Sequence, residues 1–313
     1  MSKEKPWILG ISAAFHNGAA CLIHGDEIVV AIQEERLSRI KHQAVSLDKY
    51  MLCVQYCLNG AGTKLEDLAL IATTTIPFWG KEADDITKNP QLRVKELGIP
   101  VVDITHHKAH AISAYATSGF KESAVLVSDG GGNWGPHFSE EELAVAVKSD
   151  GPLMHLCEHL SLYYIDENGI SPIEKHLGNH DYLVPDQVDK PYAWFTPGMW
   201  RFDSLGHMFS AAAAQIFGSP LQAGKVMGLS PYGKPTSPAE DLVVFKDGRF
   251  HFSDKLCEKF RHDERWPSHQ EEYQNLSASV QVALEEALLG YVIHARELVD
   301  SDNLCYAGGV ARL

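Results

Sequence analysis

Two segments of the chain carry the same pattern of short strands and glycine-bearing turns. The first segment is predicted to form three strands, at residues 7–12, 19–23 and 27–33. The second is also predicted to form three strands, at residues 124–128, 143–148 and 153–158. A loop of small residues or glycines follows the first strand of each segment, at 13–18 and 129–135. A pattern that returns in this way indicates an internal duplication.

The other predicted elements add helices to these strands. Helices are predicted at residues 47–58, 107–117, 205–217 and 277–299, and further strands at 68–72, 100–104 and 303–307. Strands that alternate with helices predict mixed α/β layers. Together with the duplication, they predict two ribonuclease-H-like lobes with a cleft between them. We expect the lobes at residues 1–120 and 121–313, with loops 13–18 and 129–135 facing the cleft.

Two stretches distinguish the second lobe. Residues 171–198 are polar, aromatic and proline-bearing, which is typical either of an insertion that shapes an acceptor pocket or of a structural loop without ligand contacts. Near the end of the sequence a strand leads into Gly308-Gly309, a turn that normally opens into a helix. Because the sequence stops at Leu313, we expect the second lobe to be truncated and incomplete.

Charge and composition argue against several classes of partner. A formal net charge of -14, without a cluster of Lys and Arg, is unlike a nucleic-acid-binding surface, so a small-molecule partner is expected. The apolar runs fall short of the roughly 18 residues of a membrane span. His16 and Asn17 interrupt the N-terminal apolar run, and a signal sequence would not tolerate these polar residues well. The six cysteines include no C-x-x-C pair. These patterns predict a cytoplasmic protein with reduced thiols and no membrane association.

Two histidines and an aspartate are the strongest candidates for a metal site. His106 and His110 are four residues apart and share a helix face, and Asp129 ends an apolar strand, where a carboxylate is costly away from water or a cation. Two imidazoles and a carboxylate can hold a divalent cation at an open site. His107 can replace His106 in an i, i+3 pair with His110, and the spacing does not decide between them. Ordinary structural histidines are the alternative interpretation.

Several glycines and a lysine are candidates for nucleotide binding. The amides of Gly130 and Gly131 can approach a phosphate closely, because glycine tolerates the required dihedrals. Lys225 and Gly228 follow an Ala-rich helix and are candidates for ribose or phosphate contacts, although their segment lacks the spacing of a P-loop. A glycine hairpin without a ligand and a surface lysine are the structural alternatives.

The remaining candidates lie at the two ends of the chain. Gly308 and Gly309 form a strand-end turn that can pack against adenine or its ribose, or can be a turn without a ligand. His16 lies in loop 13–18, and a histidine with a pKa near about 6.5 can accept a proton from a hydroxyl at neutral pH. A structural histidine is the competing interpretation for this position.

Six motifs occur in a fixed order along the chain. They are Gly10-Ile11-Ser12 through His16-Asn17, the segment from Gln33 to Arg39 with Lys41-His42, His106-His107-Lys108-Ala109-His110, Ser128-Asp129-Gly130-Gly131-Gly132, Gly224-Lys225-Val226-Met227-Gly228-Leu229 and Ala307-Gly308-Gly309-Val310. Their content and order resemble the N-terminal part of the nodulation-protein-U family of O-carbamoyltransferases.

The resemblance implies a biosynthetic transferase. Members of that family join an actin-like domain to a YrdC-like domain, which makes carbamoyl adenylate from carbamoyl phosphate and ATP. The actin-like domain moves the carbamoyl group to a hydroxyl of a small-molecule or sugar acceptor. The present chain matches the transfer half, which implies that carbamoyl adenylate reaches it from elsewhere, for example from a separate YrdC-like chain.

The resemblance also implies roles for individual residues. His106, His110 and Asp129 match metal ligands, with iron(II) as the implied metal, and His16 matches the histidine beside the acceptor hydroxyl. Family members continue past the Gly308-Gly309 turn with an asparagine and a second aspartate ligand, which this sequence does not contain. The alternatives are therefore a catalytically incomplete nucleotide- and metal-binding remnant and an actin-like ATPase.

Overall fold

The computed structural model describes residues 5–13, 16–75, 83–179, 203–253 and 264–313. Contacts divide the chain into two compact units, Met1–Ala109 and His110–Leu313. This division falls within a helix, whereas the sequence places the end of the first lobe after that helix, at residue 120. The domain boundary at 120 stays a prediction.

The first unit contains one mixed sheet with short helices. Its strands are β1 Trp7–Ala13, β2 Ala19–His24, β3 Glu27–Gln33, β4 Leu68–Thr75 and β5 Val101–Asp103, and its helices are α1 Glu34–Ser38, α2 Leu52–Ala61 and α3 Val94–Leu97. The strand order is β3-β2-β1-β4-β5. Strands β1, β2 and β3 pair antiparallel, whereas β4 and β5 join in parallel. Apolar side chains of β1, β2, β4 and α2 form its core.

The second unit repeats the central part of this arrangement. Its strands are β6 Ser123–Ser128, β7 Ala146–Lys148, β8 Leu156–Asp166, β9 Gly169–Asn179, β10 Val243–Lys246, β11 Arg249–Phe252 and β12 Leu304–Ala307. Helix α4 His106–Ser118 spans the division between the units. The later helices are α5 Glu140–Ala144, α6 Leu205–Phe217, α7 Ala223–Leu229 and α8 Gln270–Leu298. The main sheet has the order β12-β6-β8-β9-β7. Strand β6, like β1, pairs with an antiparallel hairpin on one side and a parallel strand on the other. The predicted duplicated ribonuclease-H-like fold is confirmed.

The predicted strands of the second segment are partly wrong. Residues 143–148 begin in a helix, because Ser139 caps α5: its Oγ accepts a bond from the Glu142 N–H at 3.2 Å, and its own N–H donates to the Glu142 carboxylate. The second and third strands of the segment are β8 and β9 instead. Strand β8 is buried on both faces for most of its length, so it lacks the alternation that identifies a half-exposed strand.

The predicted insertion at 171–198 is also revised. Residues 171–179 are the second part of β9, and the polar side chains of Lys175, His176 and Asn179 are buried there. Lys175 and His176, for example, each meet a glutamate. Polarity therefore misled the prediction, because it was taken to indicate a surface loop. The rest of the expected insertion lies outside the described residues.

Glu174 joins β9 to the long helix α8. Its Oε1 accepts hydrogen bonds from His176 Nε2 at 2.8 Å and from the Tyr291 hydroxyl at 3.1 Å, and its Oε2 accepts one from His294 Nε2 at 3.1 Å. Burial alone would raise the pKa of this carboxyl, but the bonds from the two histidines outweigh burial and hold it below its usual value of 4.5. The ionised carboxylate therefore contributes stability that is present above pH 4.5 and is lost as the pH falls through the lowered pKa.

We expect Glu174→Gln to lower the free energy of unfolding by about 1–3 kcal/mol at pH 7, because the substitution weakens bonds to a charged acceptor. The difference from the wild type should shrink as the pH falls below 4.5. Denaturant unfolding at pH 7 and pH 4 measures both effects. The matched control is Glu167→Gln in the exposed turn between β8 and β9, which should stay within about 0.5 kcal/mol of the wild type. Equal losses for the two variants at pH 7 would contradict the assignment.

Helix α8 is the one helix of the described residues with the length and apolarity of a membrane span. Within this unit its residues Tyr273, Val280, Leu284 and Ala287 are buried in a cluster with α6 and α7. Core helices of this kind meet the same criteria of length and composition, so the helix is weak evidence for membrane insertion.

Candidate functional site

Helix α4 begins at the histidine motif. The Ala109 N–H donates to the Thr105 carbonyl at 2.9 Å, which closes the first helical turn around His106. The helix then packs through Ala111 against Val125 and Val127 of β6. The first turns of α4 and the residue that follows β6 thus lie close together.

His106, His110 and Asp129 form a group with metal-ligand spacing. One ligand atom from each lies within 4.8 Å of the others, and among the described residues this is the only such group of histidine, cysteine or acidic side chains. His110 Nε2 and Asp129 Oδ2 are 3.3 Å apart. All three side chains are partly exposed, so a ligand can reach them. His107, the alternative partner of His110, is completely buried and is not part of the group.

The Asp129 carboxylate is held by its own loop and by a second turn. Its Oδ1 accepts a hydrogen bond from the Gly130 N–H at 2.7 Å. A Cβ added at Gly309 would lie 2.7 Å from the same oxygen, so only glycine fits there without a shift. The backbone N–H of Asp129 donates to the His159 carbonyl at 2.9 Å. These contacts fix the orientation of the carboxylate toward His110.

The Gly308-Gly309 turn lies against the end of β6, because β12 pairs with β6 in parallel. Gly308 has φ +98°, and a Cβ at this position would overlap the Ser128 carbonyl. In this structure the two glycines, which the sequence suggested as adenine or ribose contacts, pack against Ser128 and Asp129. That packing is sufficient to explain why both positions require glycine.

The Asp129-Gly130 backbone also receives the start of α6. Ser204 caps this helix and donates a hydrogen bond from its hydroxyl to the Asp129 carbonyl at 3.0 Å. A Cβ added at Gly206 would come within 2.6 Å of the Gly130 N and Cα, so glycine permits the close approach. The Ser-x-Gly sequence at the start of the Ala-rich helix is a signal that the sequence analysis missed.

Two further side chains at this place were also missed. The His207 ring lies beside Gly130, 3.9 Å from the position that a Cβ on Gly130 would occupy. Burial lowers the pKa of His207 to about 4, although the negative charge of Asp129 acts to raise it. This ring is neutral at pH 7. Tyr306 on β12 shares a hydrogen bond with Ser128, and burial raises the pKa of its hydroxyl to about 12. Both groups are neutral neighbours of the carboxylate at physiological pH.

The glycine loop after Asp129 is anchored at its far end. The Gly132 N–H donates to the Glu158 carbonyl at 2.9 Å, and the Asn133 N–H donates to Glu158 Oε1 at 3.0 Å. Gly131 lies between these anchors and Gly130. Its N–H is the one loop amide between Gly130 and Asn133 to which the described residues supply no acceptor.

The other predicted site residues lie elsewhere in the fold. Lys225 and Gly228 are exposed on α7, where the Lys225 ammonium lies over the Phe217 ring and a Cβ added at Gly228 would meet no described atom within 4 Å. His16 is in the first unit, after β1, with its Nδ1 2.8 Å from Asn17 Oδ1.

Comparison with known proteins gives consistent matches. Residues 7–84 and 79–312 match the family model described as "Carbamoyltransferase N-terminus". The chain is 28% identical to nodulation protein NolNO of Sinorhizobium fredii, over 95% of this chain and 41% of that protein. It is 26% identical to the uncharacterized protein sll1178 of Synechocystis, over 97% of this chain and 50% of that one. The chain therefore spans half or less of the length of these relatives.

A solved structure shares the fold. HypF of T. kodakarensis superposes with a TM-score of 0.55 at 14% sequence identity, over 98% of this chain and 42% of that one. At this level of identity the likeness concerns the fold alone, and it agrees with the two repeated sheets described above.

Proposed function

Because the chain belongs to the carbamoyltransferase family, whose N-terminal model matches residues 7–84 and 79–312, we propose that it moves a carbamoyl group from carbamoyl adenylate to a hydroxyl. The acceptor is a small molecule or sugar. The observation that carries the proposal is the group of His106, His110 and Asp129, whose ligand atoms lie within 4.8 Å of one another. Two imidazoles and one carboxylate are the donor set of non-haem iron(II) sites with open positions.

The spacing of His110 and Asp129 fits a bound metal. Metal–ligand bonds of about 2.0–2.2 Å put neighbouring donor atoms about 3 Å apart. The 3.3 Å between His110 Nε2 and Asp129 Oδ2 is close to that value. When bound, iron(II) supplies positive charge that can neutralise phosphate oxygens of a leaving nucleotide. His106 and His110 would hold it from one helix face, and Asp129 from the adjoining loop.

The loop after Asp129 suits the phosphate of the same substrate. The Gly131 N–H can donate to a phosphate oxygen, since glycine lets an anion approach the backbone closely. Gly130 contributes indirectly, because its N–H orients the Asp129 carboxylate. Lys225 and Gly228 remain candidates for contacts with the nucleotide, and Gly308 and Gly309 shape the wall beside Asp129.

His16 is the proposed general base. Its imidazole takes the proton of the acceptor hydroxyl, the acceptor oxygen forms a bond to the carbamoyl carbon, and the bond from that carbon to the adenylate oxygen breaks. AMP leaves with the electron pair of the broken bond. The products are a carbamate ester of the acceptor and AMP, and the proton is on His16.

The substrates of the wider reaction follow from the same assignment. Carbamoyl adenylate forms from carbamoyl phosphate and ATP, and we propose that a YrdC-like domain or a separate YrdC-like chain makes it, in the cytoplasm. The test is to load the purified chain anaerobically with iron(II), add carbamoyl adenylate and a panel of alcohols and sugars, and detect carbamoylated products by mass spectrometry. Transfer that depends on iron supports the proposal. Bound iron without any transfer from the added carbamoyl adenylate would favour a binding protein instead.

We expect His16→Ala to lower the transfer rate by about 10²–10⁴-fold, which is the usual contribution of a general base. Iron content should not change, because His16 is not in the metal group. Rates and colorimetric iron determination on the same samples measure both. His24→Ala, in the same unit and stacked on Trp7, is the control and should transfer near the wild-type rate. A fall in iron content with His16→Ala would contradict the assigned role.

A further inference from the structure

A completely buried ion pair lies behind the glycine loop. The Lys175 ammonium on β9 bonds to Glu158 Oε2 on β8, and neither side chain has any exposed surface. Lys175 Nζ is also 3.1 Å from the Tyr163 hydroxyl and 3.3 Å from Glu142 Oε1, and it lies 4.4 Å from the centre of the Phe138 ring. The ammonium is thus enclosed by two carboxylates, a hydroxyl and an aromatic face.

Such a pair is costly to bury, so its charges and hydrogen-bonding groups need well-placed partners. Removing an ammonium and a carboxylate from water costs several kcal/mol each, and a buried pair often adds no stability over apolar residues of the same volume. Burial alone would lower the pKa of Lys175, but the facing carboxylates of Glu158 and Glu142 outweigh burial and raise it, so the lysine is charged. Stability alone is therefore a weak explanation for a lysine at this position.

Glu158 connects this pair directly to the loop. While its Oε2 takes the bond from Lys175, its Oε1 accepts the Asn133 N–H at 3.0 Å, and its backbone carbonyl accepts the Gly132 N–H at 2.9 Å. A Cβ at Gly132 would lie 2.6 Å from Glu158 Oε1, so the loop rests on the carboxylate itself. The position of Glu158 Oε1 therefore sets the path of the backbone just after Gly131.

We propose that Lys175 is a positioning residue, which holds Glu158 so that the glycine loop keeps the Gly131 amide in place for a phosphate group of the nucleotide. The inference rests on the proposed function, because it assigns the phosphate to this loop. Lys175 acts through Glu158 and touches neither the nucleotide nor the metal group. Loss of its ammonium removes the cation that bonds to Glu158 Oε2, which favours protonation or movement of the buried carboxylate and weakens its bond to Asn133.

This role predicts an effect on the phosphate alone. Lys175→Met keeps the length and apolar body of the side chain but removes the ammonium. We expect AMP to bind about tenfold more weakly to this variant, a change of one decade in Kd, while adenosine binds as it does to the wild type. Iron content should be unchanged, because the metal group does not include Lys175 or Glu158.

The experiment compares AMP with adenosine by isothermal titration calorimetry on the iron-loaded chain. It uses the wild type, Lys175→Met, Glu158→Gln and the double variant. If Lys175 acts through Glu158, the double variant should bind AMP no more weakly than the single variants do. The reason is that substitutions along one series of contacts do not have additive effects. Glu158→Gln also keeps a side chain of the same shape on the loop, so it stands in for Lys175→Met should that variant not fold.

The control is Glu174→Gln, a neighbour of Lys175 on β9 that is also tied by hydrogen bonds and whose loss lowers stability. It should leave the ratio of the AMP and adenosine affinities unchanged. A wild type that prefers AMP, together with an unchanged ratio in Lys175→Met and Glu158→Gln, would overturn this inference and leave the proposed function intact. A wild type without preference for AMP would instead refute the phosphate site itself, and the inference with it.

Discussion

His110→Ala is expected to abolish tight iron binding and carbamoyl transfer together. The imidazole is one of three donors, and its Nε2 lies 3.3 Å from Asp129 Oδ2. Substitutions of residues that only support a metal ligand cost about 10–100-fold in affinity, so loss of a ligand should cost at least about 100-fold. Asp129→Asn is expected to give the same result, because it keeps the shape of the side chain and removes the charge.

Iron titration under anaerobic conditions measures the affinity, and the product assay measures transfer. His251→Ala is the matched control, since its ring is on the exposed strand β11 and outside the metal group. The ligand assignment predicts that only the His110 and Asp129 variants lose iron. Unaltered iron content in His110→Ala would refute that assignment, whatever happened to the transfer rate.

Gly308→Ala is expected to destabilise the second unit strongly. A side chain at φ +98° is strained, and its Cβ would overlap the Ser128 carbonyl, which is backbone and cannot turn away. Strain and overpacking each cost about 1–3 kcal/mol, so together they should lower the free energy of unfolding by about 2–6 kcal/mol. Because the shift would also move Asp129, iron affinity should fall in the fraction that stays folded.

The control separates strain from overlap. Gly248 in the turn between β10 and β11 has φ +72°, and a Cβ there would meet no described atom within 4 Å. Gly248→Ala should therefore cost only about 1–2 kcal/mol, from strain alone. Denaturant unfolding measures both variants. Similar losses at the two positions would mean that the close approach of Gly308 to Ser128 does not determine its identity.

The first unit was predictable because its strands alternate and its turns carry glycine. The turn at Gly25-Asp26 joins strands β2 and β3, and their predicted bounds agree with the structure to within one residue. Strands β8 and β9 were not predicted as a hairpin, because both are largely covered and one contains buried Lys175 and His176. Polar residues inside a sheet carry no local signal, since their partners lie on other strands.

The candidate site was predictable where its residues are close in sequence. The spacing of His106 and His110 already predicts a shared helix face, and the end of β6 provides the carboxylate. The sequence could not decide between His106 and His107, because the choice depends on which ring the packing of α4 buries. Gly206, His207 and Glu158 were missed, since their relation to the loop after Asp129 exists only in three dimensions.

The sheet order of the second unit has a consequence for biosynthesis on the ribosome. All three candidate metal donors lie between residues 106 and 129, and the loop that joins them is cheap to close. The turn that presses on Asp129 follows β12 and is translated well after the loop that carries Asp129. A nascent chain thus contains the three candidate donor side chains before it contains the turn that orients Asp129, so the carboxylate is fixed in place only after β12 pairs with β6.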